Sequence, residues 1–277
     1  MCRLCRRTKA HSVIPVSVLI TTKNEAANIG RCLAALRDFS EIIVVDSHSH
    51  DDTQKIAAAA GARVVSYQWN GGYPKKRQWC LDTLSFAHDW VFFVDADEII
   101  PQALTEELRQ LFENKPSCAG YFVKGRYVID GKALRYGLEN NKLCLIDRRK
   151  IEFPVIDDLD VDGMGEIEGH YQPVLKTGQK ASLGQIREAL FHYAYEQNWM
   201  ARHQRYAAWE RAMNHKNAWP RDPVRWRQFL KCLFRAVPFR SLIAFFHCYI
   251  FKRGFLDGKV GFILARDRFR YYRMITS

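Results

Sequence analysis

Short apolar, β-branched runs alternate with helix-like segments from Val13 to Phe112, and this alternation limits the folds open to the chain more than any other feature. The runs are Val13–Thr22, Glu41–Ser47, Ala62–Trp69 and Asp89–Asp97. The helix-like segments follow Asn24 and cover Thr53–Ala60, Pro74–Ala87 and Pro101–Phe112. Continuously apolar strands are typical of a sheet that is covered on both faces. The order therefore predicts an α/β fold with a mainly parallel central sheet flanked by helices.

The pattern changes in the second half of the chain. Gly120–Ile129 and Lys132–Tyr136 predict a β-hairpin, and Leu143–Asp147 predicts a further strand. From about Gln185 onward the pattern indicates helices rich in aromatic residues and arginine. We therefore expect three parts: a basic N-terminal segment (1–12), an α/β domain (13–195) and a basic, aromatic, helical C-terminal region (196–277).

Positive charge is concentrated near the C-terminus. The chain has a formal net charge of +12, and residues 221–277 contain 13 Lys and Arg against 3 Asp and Glu. The nearly neutral remainder argues against a uniformly basic nucleic-acid binder and favours one surface that meets polyanions or a membrane. The longest apolar run, Leu242–Phe251, is far shorter than the roughly 20 residues that a membrane-spanning helix needs.

Polar side chains follow each of the four predicted strands. The clusters are Thr21–Glu25, Asp46–Thr53, Lys75–Arg77 and Asp95–Glu98. In an open parallel sheet, ligands bind outside the carboxyl ends of the strands, so these clusters predict one shared crevice. Simpler interpretations stay open for single residues. Asp46 or Asp51 could cap the next helix, and Lys75 and Lys76 could be solvated surface charges.

The acidic cluster at the fourth strand is the most specific of these signals. Asp95, Asp97 and Glu98 place three carboxylates within four residues, where they repel one another unless a divalent cation lies among them. Mg²⁺ or Mn²⁺ bridging the phosphates of a nucleotide diphosphate would suit such ligands. The first strand is followed by neither a Walker loop nor a GxGxxG motif, so a P-loop or a Rossmann dinucleotide site is a poor match.

Four segments resemble the inverting family 2 glycosyltransferases of GT-A fold: SVLITTKNEAANIGRCLAAL, EIIVVDSHSHDDT, KKRQW and DWVFFVDADE, which contains the DxD motif. The stretches LFHYAY and GFLDGKVGF are similar to the subgroup of bacterial lipopolysaccharide-core β-glucosyltransferases. The resemblance is specific over residues 16–110 and looser over 160–265. It implies a GT-A catalytic domain over 13–195, a nucleotide-diphosphate sugar as donor and a divalent cation, Mg²⁺ or Mn²⁺, as cofactor.

The resemblance also implies roles for individual residues. The base and ribose would contact Thr22, Glu25, Asp46 and Ser47. Lys76 would lie near the diphosphate, Asp95 and Asp97 would contact the nucleotide and the metal, and His192 would be a further metal or diphosphate contact. A core histidine is the competing interpretation of His192. The family usually has Gly at the position of His48, which is typical of a backbone with positive φ.

Inversion requires a carboxylate that takes the proton of the attacking acceptor hydroxyl. Candidates lie in an acidic loop: Asp157, Asp158, Asp160, Asp162, Glu166 and Glu168. The segment from Gly165 to His170 occupies the place where the resembled family carries its catalytic acid. We expect Glu168 to be the base, with Glu166 as the second candidate.

The C-terminal region has the composition of a membrane-surface helix. Trp226, Phe229, Leu230 and Leu233 recur at helical spacing among Arg and Lys residues. Such helices can lie in a membrane interface, with Phe234, Phe245 and Phe246 as further apolar candidates. The alternative is that these helices pack on the protein's own core.

The leading hypothesis is a glycosyltransferase that acts on a lipid-linked or cell-envelope glycan at an anionic membrane surface. No apolar segment suited to a secretory signal follows the basic N-terminus, so we expect a cytoplasmic protein held peripherally on the inner face of the bacterial cytoplasmic membrane. Two alternatives stay open: a metal-dependent nucleotidyltransferase, and a non-catalytic nucleic-acid binder that uses the basic tail. Under the leading hypothesis no nucleic-acid partner is expected.

Overall fold

The computed structural model of the chain describes residues 12–168, 171–195 and 199–276. Its strands are β1 (Ile14–Thr22), β2 (Phe39–Asp46), β3 (Arg63–Ser66), β4 (Trp90–Asp95), β5 (Glu98–Ile99), β6 (Gly120–Ile129), β7 (Lys132–Ala133), β8 (Asn140–Asp147), β9 (Ile151–Glu152), β10 (Val174–Leu175) and β11 (Leu183–His192). The α-helices are α1 (Ala26–Ala34), α2 (Thr53–Ala59), α3 (Lys76–Thr83), α4 (Gln102–Glu113), α5 (Trp199–Lys216), α6 (Arg225–Ala236), α7 (Arg240–Phe246) and α8 (Lys259–Thr276). A π-helical turn covers His247–Phe251, and a 3₁₀ turn covers Gly254–Asp257.

The central sheet has the strand order β3-β2-β1-β4-β8-β6-β11-β5, with β7 paired to the end of β6. The pairs β3–β2, β2–β1, β1–β4 and β6–β11 are parallel, whereas β8 is antiparallel to both β4 and β6. The predicted α/β class is therefore confirmed. The strand–helix alternation also gave the first four strands and first four helices in the right order, because the apolar runs of β1, β2 and β4 are buried in the sheet and that of β3 lies, partly buried, at its end.

The expectation of helix from about Gln185 onward is wrong for the first part of that stretch. Residues Leu183–His192 form β11, which pairs in parallel with β6, so that His192 lies opposite Tyr127. The segment is rich in helix-forming residues, but pairing with a neighbouring strand outweighs local preference. Helices do form from Trp199 to the C-terminus. The expected boundary near residue 196 and the basic segment 1–11 lie outside the described residues.

The C-terminal helices contribute to two different parts of the interior. Trp209 and Met213 of α5 are fully buried and belong to the main core, which lies around the sheet. Leu264 and Ala265 of α8 join a smaller core with Ile129 and Leu134 of the β6–β7 hairpin. Within the ranges that the structure describes, none of the helices has the length and apolarity needed to cross a bilayer.

Candidate active site

Four strands end along one edge of the sheet, and each ends in a polar residue. Thr22, Asp46, Asp95 and His192 are the last residues of β1, β2, β4 and β11. Parallel register sets Thr22 beside Asp46 and brings Asp95 to the neighbouring row. β11 pairs antiparallel with β5, which places His192 opposite Glu98. The crevice expected at this edge therefore has side chains from both halves of the sheet.

Asp46 organises the turn that follows β2. It is buried and accepts hydrogen bonds from the Thr22 hydroxyl at 3.0 Å and from the backbone N–H of Ser49 at 2.8 Å. Burial acts to raise the pKa of Asp46, but the hydrogen bonds from Ser49, Gln54 and Thr22 hold it below its usual range. Asp46 is therefore a carboxylate fixed in one orientation at the crevice.

Two features of this turn bear on ligand binding. His48 has φ = +52°, the left-handed backbone for which glycine is the usual choice. The hydroxyl of Ser47 is buried and has no hydrogen-bond partner among the described residues. On the facing loop, the carboxylate of Glu25 accepts a hydrogen bond from the Asn28 side chain at 2.9 Å, and burial raises the pKa of Glu25, with Asp97 acting in the same direction.

Asp95 is held between two cations. Its Oδ1 accepts a bond from Arg77 at 2.8 Å, and its Oδ2 accepts one from Lys142 Nζ at 2.7 Å. Burial opposes ionisation, but Lys142 and Arg77 keep the pKa of Asp95 well below its usual range. Lys142 also contacts Glu98, which is fully buried.

Asp97 and His192 form a second pair next to the first. His192 Nε2 lies 3.4 Å from Asp97 Oδ2, and the guanidinium of Arg202, from α5, lies 3.5 Å from the same oxygen. The His192 ring stacks on Tyr127 with ring centroids 5.3 Å apart. His192 Nδ1 is buried and finds no hydrogen-bond partner within the described part of the chain.

These contacts correct the argument that repulsion among the acidic residues requires a divalent cation. The carboxylates of Asp95, Asp97 and Glu98 need no metal to relieve their repulsion, because Lys142, Arg77, His192 and Arg202 already neutralise them. Among the described residues, no three His, Cys, Asp or Glu side chains are grouped so as to hold a metal by themselves. Asp97 and His192 remain together as two potential ligands.

Lys75 and Lys76 are both buried, so the interpretation as solvated surface charges is wrong. Lys75 Nζ lies 2.7 Å from Asp158 Oδ2, and Asp158 also accepts a hydrogen bond from the indole of Trp209 at 3.0 Å. Lys76 Nζ lies 2.6 Å from Glu166 Oε1. The acidic loop is therefore fastened to the start of α3 by two ion pairs.

The two candidate bases differ in what they contact. Glu168 is 3% exposed, and its two oxygens accept the backbone N–H groups of Arg77 and Gln78 at 3.0 and 2.9 Å, so it caps the first turn of α3. Burial raises the pKa of Glu168, while Arg77 lowers it. The side chain of Glu166 is 19% exposed and is paired with Lys76 alone among the contacts described.

Sequence reasoning did not single out Arg77, Lys142 or Arg202 as site residues. Arg77 follows two lysines and was treated with them as one basic cluster. Lys142 reaches Asp95 because β4 and β8 pair antiparallel with Phe92 opposite Leu145, a register that continues to these two residues. Arg202 arrives from a helix more than one hundred positions away in the chain. Only the fold brings these cations to the edge.

The sequence profile of the family described as Glycosyl transferase family 2 matches residues 17–165, more than half of the chain. The chain belongs to this family. The expected α/β fold of GT-A type and the expected family of enzymes are thereby confirmed. Neither the nucleotidyltransferase nor the nucleic-acid-binder alternative is favoured by this membership.

Individual relatives match about half of the family 2 chain. An uncharacterized glycosyltransferase of Rickettsia typhi is 32% identical over 172 residues, which are 55% of this chain and 56% of the relative. The lipopolysaccharide core biosynthesis glycosyltransferase LpsC of Rhizobium meliloti is 33% identical over 148 residues, which are 50% of this chain and 52% of LpsC. The chain thus spans about half the length of these curated relatives.

Among solved structures, the chain is similar to glucosyl-3-phosphoglycerate synthase of Mycobacterium tuberculosis, crystallised with Mn²⁺, uridine diphosphate and glucosyl-3-phosphoglycerate. The sequence identity is 30%, the match covers 41% of this chain and 44% of the synthase, and the TM-score is 0.33.

Proposed function

We propose that this family 2 protein transfers a sugar from a nucleotide-diphosphate sugar to a hydroxyl of a lipid-linked or cell-envelope glycan, with inversion at the anomeric carbon. The observation that carries the proposal is the paired arrangement at the sheet edge, where Asp95 lies between two cations and Asp97 lies beside His192. The similarity to LpsC, a glycosyltransferase of lipopolysaccharide core biosynthesis, supports a glycan of the lipopolysaccharide core type as acceptor.

The nucleoside would lie over the ends of β1 and β2. Asp46 offers a fixed carboxylate there, and Glu25 offers a second, while the buried hydroxyl of Ser47 has an unused hydrogen-bond donor. Asp95 would complete this part of the site by orienting Arg77 and Lys142. Both cations are then placed to neutralise the diphosphate as it leaves.

The side chains of this site supply only part of the coordination shell of a divalent cation. Mg²⁺ is usually bound through one or two carboxylates together with substrate phosphates, so Asp97 and His192 would suffice for a metal that binds with the diphosphate. The bound metal would stabilise the negative charge that develops on the leaving nucleoside diphosphate. The buried, unpartnered His192 Nδ1 is consistent with a polar ligand in this region.

For the base, the contacts favour Glu166 over Glu168. Both oxygens of Glu168 already accept backbone N–H groups, so we assign it to holding α3 and Lys76 in position. Glu166 has one partner, Lys76. When the donor diphosphate becomes the counter-ion of Lys76, the carboxylate of Glu166 is released to take the proton of the acceptor hydroxyl.

The apolar stripe of α6 supports contact with a membrane. Trp226, Phe229, Leu230 and Leu233 lie on one face of the helix and are all exposed, Trp226 by 65% and Phe229 by 56%. Arg227 and Lys231 point the other way, because both pair with Asp222. We propose that this face binds the anionic inner surface of the cytoplasmic membrane, where the glycan acceptor is found.

The enzymatic proposal is tested with a panel of nucleotide-diphosphate sugars. The purified chain is incubated with each donor in the presence of Mg²⁺ or Mn²⁺, and the released nucleotide is identified. We expect release of a nucleoside diphosphate from one donor class. Release of pyrophosphate instead would indicate a nucleotidyltransferase, and no turnover of any donor by a folded protein would contradict the proposal.

A further inference from the structure

A cavity of about 430 Å³ lies between the β6–β7 hairpin and the 3₁₀ turn that precedes α8. It is lined by Lys132, Ala133, Arg135, Tyr136, Leu256 and Asp257. Lys132 and Arg135 are exposed, and neither has an ion-pair partner among the described residues. Within the described part of the chain, two cations without an ion-pair partner therefore share one concave surface.

The single acid in the lining does not neutralise these cations. The carboxylate of Asp257 is buried, and its Oδ2 accepts the backbone N–H groups of Arg135 and Tyr136 at 2.9 and 2.8 Å. Lys132 Nζ donates to the backbone carbonyl of Asp257 at 3.2 Å, and Lys132, Arg135 and Asp257 together leave the lining with a positive formal charge. Asp257 thus shapes the hairpin, and the cavity remains positively charged.

The surroundings of the cavity are apolar and exposed. Leu256 lines it and is 51% exposed, and Phe255 precedes Leu256 in the same turn. Phe251, at the end of the π-helical turn, is 77% exposed. The N–H of Gly137 donates to the carbonyl of Lys252 at 2.8 Å, which ties the hairpin to this apolar segment. A free phosphate ion gains nothing from contact with these apolar side chains, whereas an anionic lipid has both a phosphate and an acyl chain that can contact them.

The cavity also lies close to the candidate active site. Tyr127 of β6 stacks on His192, and β6 continues only to Ile129 before the chain turns and Lys132 pairs with it. The cationic lining therefore begins a few residues beyond the carboxyl edge of the sheet. A lipid phosphate bound here would set the height of the sheet edge above the bilayer.

We propose that this cavity binds the phosphate-bearing headgroup of an anionic lipid, with Arg135 and Lys132 on the phosphate and Leu256 against the start of the acyl chains. Arginine and lysine are the residues that proteins use for phosphate recognition. The inference rests on the membrane contact proposed above, and it adds a specific headgroup site to the apolar face of α6.

The test compares two double variants that remove the same charge. Lys132→Gln with Arg135→Gln changes the cavity, and Lys252→Gln with Lys259→Gln changes two exposed lysines of the same region outside it. Binding is measured by co-sedimentation with vesicles of phosphatidylcholine containing phosphatidylglycerol. General attraction to the surface predicts equal losses for the two variants, because each basic residue near an anionic membrane contributes similarly. A headgroup site predicts that the cavity variant loses about tenfold more affinity than the control.

Two more measurements separate the outcomes. Arg135→Lys keeps the charge but loses the planar, two-pronged contact, so it should lose part of the affinity if a phosphate is held there. Equal losses for the two double variants would overturn the headgroup site. Binding of glycerol 3-phosphate that requires Lys132 and Arg135, without extra loss of vesicle binding, would overturn the lipid assignment in favour of a soluble phosphate.

The enzymatic proposal can be tested independently of the membrane contact and the headgroup site. Both double variants should hydrolyse the donor sugar nucleotide like the unmodified chain, because neither touches the sheet edge, and this also shows that they are folded. If the unmodified chain turned over donor but did not bind anionic vesicles at all, the membrane contact and the headgroup site would both be wrong. If it bound vesicles through the cavity but turned over no donor, only the enzymatic proposal would fail.

Discussion

The sheet edge and helix α6 place charged and apolar side chains in opposite environments. At the edge, charged side chains are buried or half-buried and almost every one has a partner of opposite charge, as Asp95 has in Arg77 and Lys142. On α6, apolar side chains are exposed and the helix has no buried residue. Buried charges without partners and exposed apolar surface are both costly, so each region indicates what is expected to meet it. Under the proposals above, a charged ligand binds at the edge and the apolar part of a membrane contacts α6.

This contrast predicts that substitutions in one region leave the function of the other intact. The largest effect is expected from Asp97→Asn. The variant keeps the shape of the side chain but removes the charge beside His192, so transfer should fall by about 10³-fold or more, since metal and charge stabilisation of a leaving diphosphate supply several kcal/mol. The measurement is the initial rate of transfer with Mg²⁺ or Mn²⁺ and in excess EDTA.

Asp130→Asn is the matched control, because Asp130 is exposed in a turn with positive φ that Asn tolerates equally well. Its rate should equal that of the unmodified chain. Vesicle binding by Asp97→Asn should also be unchanged. Full turnover by Asp97→Asn, or by the unmodified chain in EDTA, would show that the edge does not work through a cation.

The second prediction separates the two glutamates. Glu166→Gln should lower transfer about 10²-fold or more, the usual contribution of a general base. Glu168→Gln should instead lower the free energy of unfolding by about 1 kcal/mol, because an amide replaces a capping carboxylate at α3. Transfer rates and thermal unfolding are measured for both. An inactive Glu168→Gln of native stability, next to an active Glu166→Gln, would make Glu168 the base.

Much of the site could be predicted from sequence, and the missing part has a physical cause. Asp46 and Asp95 could be placed at the sheet edge because each closes a continuous apolar run, and Asp97 follows two residues after the second run. Lys142 could not, because its position beside Asp95 depends on the antiparallel register of β8, which no local pattern encodes. β11 was missed for a related reason, since its helix-forming residues are held extended by pairing with β6.

Burial explains the remaining differences between prediction and structure. Lys75 has an ordinary surface-like sequence context, yet it is fully buried because Asp158, 83 residues later, supplies a counter-charge. Phe234 and Phe245 were expected at a membrane, but Phe234 packs edge-on against Tyr272 at 5.0 Å, and Phe245 joins the smaller core. Trp226, Phe229 and Phe246 are exposed as a membrane contact requires.

The third prediction tests the other side of the contrast. Trp226→Ala with Phe229→Ala removes two exposed rings, and their burial in a bilayer interface would be worth enough to weaken vesicle binding by about tenfold or more. Flotation with vesicles of increasing phosphatidylglycerol content measures this. Donor hydrolysis should stay at the level of the unmodified chain.

A double variant on the α/β domain controls for loss of apolar surface in general. Val13→Ala with Val155→Ala alters two residues that are about as exposed as Trp226 but do not belong to α6. Its flotation should match that of the unmodified chain. If the α6 double variant binds vesicles as well as this control double variant, α6 does not contact the membrane.

The smallest expected effect is a difference in thermal stability between variants of two phenylalanines on α6, Phe234 and Phe229. Phe234→Ala removes the ring that packs on Tyr272 and should cost about 1 kcal/mol, a decrease of about 2–4 °C in Tm for a chain of this size. Phe229→Ala removes an exposed ring and should leave Tm within experimental error. Thermal unfolding followed by circular dichroism decides between them. Equal shifts would mean that Phe229 is packed in solution.

Because α6 buries none of its residues, packing places little constraint on which residues its exposed face can carry. Substitutions on the exposed face of α6 can accumulate without loss of stability, whereas those at the fully buried Glu98 or Trp209 cannot. Divergence among family 2 proteins of this kind should therefore be fastest on that face. Lineages with different envelope lipids could adapt how the protein is anchored while inheriting the same chemistry unchanged.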